Sequence, residues 1–419
     1  MSENSAATSP HVLRRLNAEL VLRFAWSTTG TITANGLIAH TGLTRSTVIG
    51  VCDELVRRGW LAETDDAGAD EPRRGRPARR YAVRAEAAAV VGVDAGRHRV
   101  SAALADLRGT VVARVERLTD GDDSGDERRR TVRAVIDDVV AAAGVDPSTV
   151  RALCIGVPAP TDAHGHSPLA DHGFWATSNP GFVDDLAAPG RLVVVDNDAN
   201  LAAIAEGSEP GGSGADAASS ITLLSGERLG AGLVIDGRLL RGVRGGAGEL
   251  RALEHVEGVG STAGFAALIR EWAREAVAGA APPTSPVTAG VLDDTIAPSS
   301  VLHRVDLDAS DVLLADPATD SAAAALVDRL AARLARICTV LGDLLDVDRV
   351  IVAGALAASS ARLVDLTRSA IAAYDDPTAP VILASTLGAD VVTTGAVHRA
   401  LAAVRESALD LDAARSTGA

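Results

Sequence analysis

Two stretches of this 419-residue chain follow one plan, and that repetition limits its fold more than any other feature. Residues 89–115, AVVGVDAGRHRVSAALADLRGTVVARV, read as a buried run, a glycine turn, an alternating strand, an Arg-Gly turn and a third strand. Residues 220–243, SITLLSGERLGAGLVIDGRLLRGV, read as strand, glycine-rich loop, strand, an Asp236-Gly237 turn and strand. The Asp-Gly pair is a strong hairpin signal. Two such units about 130 residues apart predict two related lobes, each a mixed sheet flanked by helices, facing each other across a cleft. Further strands are expected at 153–157, 191–195, 349–353 and 380–384, with Ala- and Leu-rich helices between them. Loops are expected at 208–219 and 281–300, and fraying at 406–419.

Apolar residues make up 47% of the chain but aromatics only 2%, so the cores must be built from Ala, Val, Leu and Ile. All 40 basic residues are arginine. A chain without lysine has no Walker-type lysine, no Schiff-base lysine and no strand lysine of a protein kinase. Cys52, Cys154 and Cys338 are far apart and form no C-x-x-C, which argues against a disulfide framework and a cysteine zinc site. The opening MSENSAATSP lacks a basic region followed by an apolar run, and no apolar stretch approaches a membrane span. The expected location is cytoplasmic.

Charge divides the chain in two. Residues 1–85 hold 12 Arg against 9 acids, and the remainder 28 Arg against 46. Six arginines, Arg73, Arg74, Arg76, Arg79, Arg80 and Arg84, fall between 73 and 84 without an acid. Such a run suits either a polyanion or a solvated linker. The preceding residues bear on that choice. Leu13, Leu16, Leu20 and Phe24 recur at helical spacing and predict the inward face of a first helix. Thr33 can cap a short second helix that Gly42 ends, and Thr44 can cap a third, whose stripe is Val48, Cys52, Leu55 and Val56. This is a helix-turn-helix pattern, in which the first turns of the last helix enter the major groove. Thr44, Arg45, Ser46 and Thr47 are the candidate contacts to base edges and phosphates. The strands expected at LAETDD and GRPARRYAV make a wing whose Arg74, Arg76 and Arg79 are candidate contacts to the minor groove or flanking phosphates. A three-helix module for protein contacts is the other reading of the same pattern.

With these elements in order, the chain resembles the ROK family of sugar-responsive repressors and sugar kinases. The resemblance rests on the helix-turn-helix, GVDAG at 92–96, VPAP at 157–160, DNDAN at 196–200, the second glycine-rich hairpin and AGE at 247–249. It implies an α/β, actin-like (ribonuclease H-like) two-lobed domain preceded by a winged helix-turn-helix domain. The implied division is a DNA-binding domain at 1–86, a first lobe at 87–200 completed by a C-terminal helix at about 388–405, and a second lobe at 201–387. In N-D-A-N the aspartate is the kinases' general base for a sugar hydroxyl, which maps to Asp198 beside Asn197. Read without the resemblance, Asp198 fits a helix N-cap better than a site residue, and the resemblance reverses that order. The resemblance further assigns Glu249 of A-G-E, Asn179 of SNPGF, and Glu257 with Ser261 to sugar contacts. Convergent amide and carboxylate groups are what a buried polyhydroxylated ligand requires.

Departures from the family pattern bear on activity. Ala252 stands where relatives carry a zinc histidine, no cysteine loop follows Glu249, and His164, His166 and His172 form only a weak histidine group, so no metal is expected. Kinases of the family carry D-x-G-G-T-K and G-T-G where this chain has Asp94-Ala95-Gly96-Arg97-His98-Arg99 and Gly226-Glu227-Arg228. A carboxylate about 4 Å from a phosphate charge costs roughly 4 kcal/mol at an effective dielectric near 20. Ala353-Gly354-Ala355 also replaces consecutive glycines. The expectation is a DNA-binding transcriptional regulator, of repressor type, sensing a sugar or sugar derivative without phosphorylating it. Its expected partners are double-stranded operator DNA, the effector and further copies in a homodimer or homotetramer, with no cofactor and no membrane. Two other readings stay open: an active sugar kinase with a fused DNA-binding module, and a regulator whose sugar site is vestigial.

Overall fold

A computed structural model describes residues 10–64, 79–168, 173–226, 228–280, 296–297 and 299–416. Its N-terminal part is built from α1 (Pro10–Ser27), β1 (Ile32–Thr33), α2 (Ala34–Thr41), α3 (Arg45–Arg57), β2 (Leu61–Thr64) and β3 (Arg80–Val83). Local chemistry sets these boundaries. Thr33 accepts the Gly36 N–H at the start of α2, Gly42 closes that helix at φ 69°, and Thr44 opens α3 by accepting the Thr47 N–H. The strands form a three-stranded sheet in the order β1-β3-β2, which completes a winged-helix arrangement.

The buried face of α1 differs from the expected one. Ala18, Val21, Leu22 and Ala25 face the core, whereas Leu13, Leu16 and Leu20 remain between 43% and 49% exposed. The alanines let α1 approach α3 closely, and the leucine stripe is thereby turned to the opposite side. Phe24 is only half-buried and stacks on His40, with ring centroids 4.0 Å apart.

Two larger sheets follow. The first uses β4 (Ala89–Ala95), β5 (Arg99–Asp106), β6 (Val111–Leu118), β7 (Val150–Val157) and β8 (Leu192–Asn197) in the order β6-β5-β4-β7-β8. Between its strands lie α4 (Gly125–Ala143), α5 (Phe174–Ser178) and α6 (Phe182–Asp185), and α7 (Asp198–Ser208) follows β8. The second uses β9 (Ser220–Ser225), β10 (Leu229–Ile235), β11 (Arg238–Leu239), β12 (Arg349–Ala353) and β13 (Val381–Ala384) in the order β11-β10-β9-β12-β13. Its helices are α8 (Phe265–Ala280), α9 (Ala309–Leu313), α10 (Ser321–Leu345) and α11 (Ala361–Ala372), and α12 (Val391–Ser416) ends the chain. In both sheets the first three strands are antiparallel and the last two add in parallel, so the repeated hairpin carries a repeated topology. Central strands such as β4 and β7 are mostly apolar and buried along nearly their whole length because both faces are covered.

Helix α12 packs across the first sheet and against α7. It does not fray after 405 as expected: Ala408, Leu409 and Leu411 are buried and the helix continues to Ser416. The cause is docking on the N-terminal part. Asp410 accepts two bonds from the Arg15 guanidinium, at 2.5 and 2.7 Å, and the Leu409 carbonyl accepts one from Arg58 at 3.2 Å. All three cysteines are buried and unpaired. Among the described residues no helix is long and apolar enough to cross a membrane.

The α12–α7 crossing has no room for a side chain at Gly395, where a Cβ would stand 1.8 Å from the Leu201 carbonyl oxygen. Gly395→Val should destabilise the chain by about 3 kcal/mol, as overpacked cores do. Denaturant unfolding checks this, and a midpoint equal to the parent's would disprove the tight crossing.

Candidate functional site

The two sheets bound a cleft of about 740 Å³. Asp94 enters it from the C-terminal end of β4, and Asp198 from the first turn of α7, where β8 ends. Glu249 faces them from the second lobe, just before a 3₁₀ turn at Leu250–His255. Burial raises the Asp198 carboxyl to about 7, and the neighbouring Asp94 charge, with a smaller contribution from Glu249, pushes the same way against the Ala199 N–H bond. Asp94 is pushed up to about 6 by burial, against the opposing pull of Arg99 and Arg128. Glu249 is also raised by burial, with Arg228 opposing. Three carboxyls thus share a partly desolvated space, and in protonated form each can donate as well as accept.

The DNDAN segment divides its labour. Asn197 caps α7 by accepting the Asn200 N–H at 3.1 Å and donates to the Ala159 carbonyl at 3.2 Å. Asn200 is buried and donates to Asp196 at 3.2 Å, and Asp196 also receives Arg241 of the second lobe at 2.6 Å. Asn197 and Asp198 both line the cleft, but the Asn197 side chain is already committed at both ends. Asp198 uses Oδ1 to accept the Ala199 N–H at 2.8 Å.

Two expected sugar contacts lie elsewhere. Asn179 is buried and donates to the Gly165 carbonyl and to Ser167 Oγ, at 2.9 and 3.0 Å, so it holds the neighbouring loop; Phe174 and Trp175 of its segment line the cleft instead. Glu257 is exposed and outside the cleft lining. Leu250 and Leu253 anchor one face of the 3₁₀ turn, which sends Arg251 and Glu254 to the cleft. With three residues per 3₁₀ turn, that Leu-x-x-Leu spacing was the available signal for Glu254. Glu254 accepts from Thr262 Oγ1 at 3.0 Å, and Thr262 accepts from Arg228 at 3.1 Å.

On the side where kinases of the family hold phosphates, the β4–β5 turn is tied from behind. Buried Arg128 of α4 donates to the Ala95 and Gly96 carbonyls at 2.6 and 3.2 Å, and Arg97 is drawn outward to the Gly121 carbonyl and Asp122, at 3.0 and 3.2 Å. Arg228 supplies a cation within the cleft, whereas Glu227 lies outside the described residues. Asp162 Oδ1 accepts the backbone N–H groups of His164 and His166, and His172 lies outside the described residues. Among the described residues no three His, Cys, Asp or Glu side chains are grouped to hold a metal.

In the N-terminal part, Thr44, Arg45 and Ser46 are exposed at the first turn of α3 and Thr47 is half-buried. Among the described residues Arg45 is held only by the neutral Asn35 oxygen at 3.3 Å, while Thr44 Oγ1 is shared with the Ser46 and Thr47 hydroxyls. Arg74 and Arg76 lie outside the described residues. Arg79 is bound by Glu63 and Asp53.

Fold and cleft together define a two-lobed, actin-like sugar-kinase architecture carrying an N-terminal winged helix. The ROK family model matches residues 90–402, and the chain belongs to the ROK family. A glucokinase from Halalkalibacterium halodurans is 28% identical over 297 residues, which is 68% of this chain and 86% of that protein. A xylose repressor from Caldicellulosiruptor bescii is 28% identical over 248 residues, 57% of this chain and 58% of the repressor. Among solved structures, a ROK family transcriptional regulator homologous to the E. coli Mlc protein superposes with a TM-score of 0.72 over 96% of this chain and 99% of its own, at 18% identity. A ROK family glucokinase from Streptomyces griseus, in complex with glucose and AMPPNP, superposes with a TM-score of 0.58 over 74% of this chain and 99% of its own, at 24% identity. The kinase match leaves about a quarter of this chain uncovered, whereas the regulator match spans nearly all of it.

The Asp198 carboxyl has a sign that can be tested. Its folded value of about 7 lies above the unfolded one, so the native state holds the proton more tightly and loses stability as pH rises from about 4 to 7. Asp198→Asn keeps an acceptor for the Ala199 N–H and removes the charge. It should stabilise the chain at pH 8 by on the order of 2 kcal/mol and by much less at pH 4. Thermal melts at both values check this, and equal shifts would contradict the burial argument.

Proposed function

We propose that this chain is a DNA-binding transcriptional regulator of repressor type, acting in the cytoplasm, whose cleft senses a sugar or sugar derivative without phosphorylating it. In this reading, residues 1–86 bind DNA, 87–200 with the C-terminal helix form the first lobe, and 201–387 form the second. The supporting observation is the path of α12: Val391 and Val392 line the cleft, and Leu409 and Asp410 are bonded to Arg58 and Arg15 of the N-terminal part. Asp198, Glu249 and Glu254 offer a polyhydroxylated ligand acceptors, and donors once protonated. The Arg128-tied turn and the missing kinase glycines speak against nucleotide binding. Thr44, Arg45, Ser46 and Thr47 at the start of α3 would meet base edges and phosphates, and two copies in a dimer, or four in a tetramer, would address half-sites about 34 Å apart or a multiple of that. A ligand that favours a closed cleft by about 1–3 kcal/mol would lower operator affinity through linkage, roughly 5- to 150-fold.

A gel-shift titration of the full chain on its own upstream DNA, with a panel of neutral, amino and phosphorylated sugars, tests this. At least one sugar should shift the affinity within that range. Unchanged affinity across the panel would leave a regulator with a vestigial site. Asp198 favours a second reading, an active sugar kinase with a fused DNA-binding module. ADP release that depends on sugar and ATP, and is lost in Asp198→Asn, would establish it.

A further inference from the structure

We propose that Arg79 is a positioning residue for duplex DNA: it fixes the angle between α3 and the strands that border residues 65–78, and does not itself touch the phosphates. The inference rests on the DNA-binding reading above and revises the role that the arginine run suggests for this residue. Arg79 Nε and Nη2 reach the two carboxylate oxygens of Glu63, each at 2.6 Å, and Nη2 also reaches Asp53 Oδ1 at 2.7 Å. Glu63 lies on β2, Asp53 on α3, and Arg79 directly before β3, so one guanidinium ties both wing strands to the helix that follows the turn. The main chain extends the tie, because the Arg79 carbonyl accepts the Ala34 N–H at the start of α2. The guanidinium also lies 5.5 Å from the centre of the Tyr81 ring, and Tyr81 is fully buried in the same core cluster as Cys52.

Charge counting separates the two possible roles. Two carboxylates face the Arg79 guanidinium and offset its charge, so it offers a phosphate little net attraction. Three of the five guanidinium N–H directions point at these oxygens. Arg45, by contrast, meets only a neutral amide oxygen among the described residues, which leaves its charge for a polyanion. The fork geometry matters as well: lysine supplies the same charge but cannot chelate Glu63 while reaching Asp53.

The test uses the full chain and duplexes of about 30 base pairs recovered from a random library by repeated binding selection, with affinities read by fluorescence anisotropy from about 50 to 200 mM KCl. A positioning role predicts that Arg79→Lys and Arg79→Gln both weaken binding about tenfold, with the slope of log affinity against log salt unchanged. Glu63→Gln should weaken binding several-fold although it removes a negative charge, and the double variant Arg79→Gln/Glu63→Gln should be no weaker than Arg79→Gln, because contacting residues are not additive. A phosphate contact predicts the opposite: rescue by lysine, a slope reduced by about 0.9, and tighter binding of Glu63→Gln. Any of these overturns the proposal while leaving the DNA-binding reading intact. Recovery of no duplex by the parent chain overturns both. Far-UV circular dichroism confirms folding, and should Arg79→Gln fail to fold, Arg79→Lys and Glu63→Gln decide the matter.

Discussion

Helix α7 is held between two backbone surfaces that leave no space for side chains, and the placement of the cleft depends on this. A Cβ at Gly395 of α12 would meet the Leu201 carbonyl oxygen at 1.8 Å, and one at Gly232 of β10 would meet that of Ala199 at 2.2 Å. The first contact joins α7 to the helix across the first sheet, and the second joins it to the second sheet. Because α7 is touched from both lobes, the carboxylate at its first residue has its position fixed relative to both. The Asp196–Arg241 pair adds an electrostatic tie between β8 and the segment after β11. A side chain so constrained loses little further freedom on meeting a ligand, which is how a rigid first turn favours binding.

The same placement carries a cost in electrostatics. Asp94, Asp198 and Glu249 are all pushed toward the protonated form by burial, and Asp94 and Glu249 add their charges against Asp198. A stability-optimised interior would pair or exclude these groups. Their retention in a cleft is the pattern of a binding site, where desolvated polar groups await a partner that satisfies them. Arg128 illustrates the contrast, since its buried guanidinium is spent on two main-chain carbonyls and serves the shape of the turn.

Period-two strands and Gly-centred turns made both large sheets readable from sequence, since each depends on residues close in the chain. The caps at Thr33, Thr44 and Gly42 were readable for the same reason. Readings failed where a distant partner decided the outcome. The Leu13–Leu16–Leu20 stripe has ideal helical spacing, yet Ala18 and Ala25 govern the packing because α1 needs a close approach to its neighbours. Residues 406–419 read as a fraying end, and Arg15 and Arg58, some 350 residues earlier and more, explain why the helix continues to Ser416. Asn179 and Glu257 were assigned by motif alone; one is used by the 161–168 loop, and the other lies exposed beyond the 3₁₀ turn, outside the cleft lining. Arg79 looks, in sequence, like any member of a basic run, because its carboxylate partners lie 16 and 26 residues away.

The length of α12 gives these local facts a common consequence. At 1.5 Å per residue, its 26 residues span roughly 39 Å. Its first turn borders the cleft and its last described side chains grip the N-terminal part, so both ends answer to different surroundings through one rigid element. A rotation of roughly 10° about the cleft end would carry the far end by roughly 7 Å, comparable to the one-turn displacements by which packed helices switch between discrete arrangements. The Arg15–Asp410 pair is exposed and contributes little stability by itself. Its geometry is bidentate, however, and bidentate pairing resists rotation better than a point contact does. Leu409 and Leu411, buried beside it, supply the apolar area that keeps the joint closed. The joint therefore combines weak net attraction with a defined angle, and a linkage of that kind passes on a change of angle without coming apart.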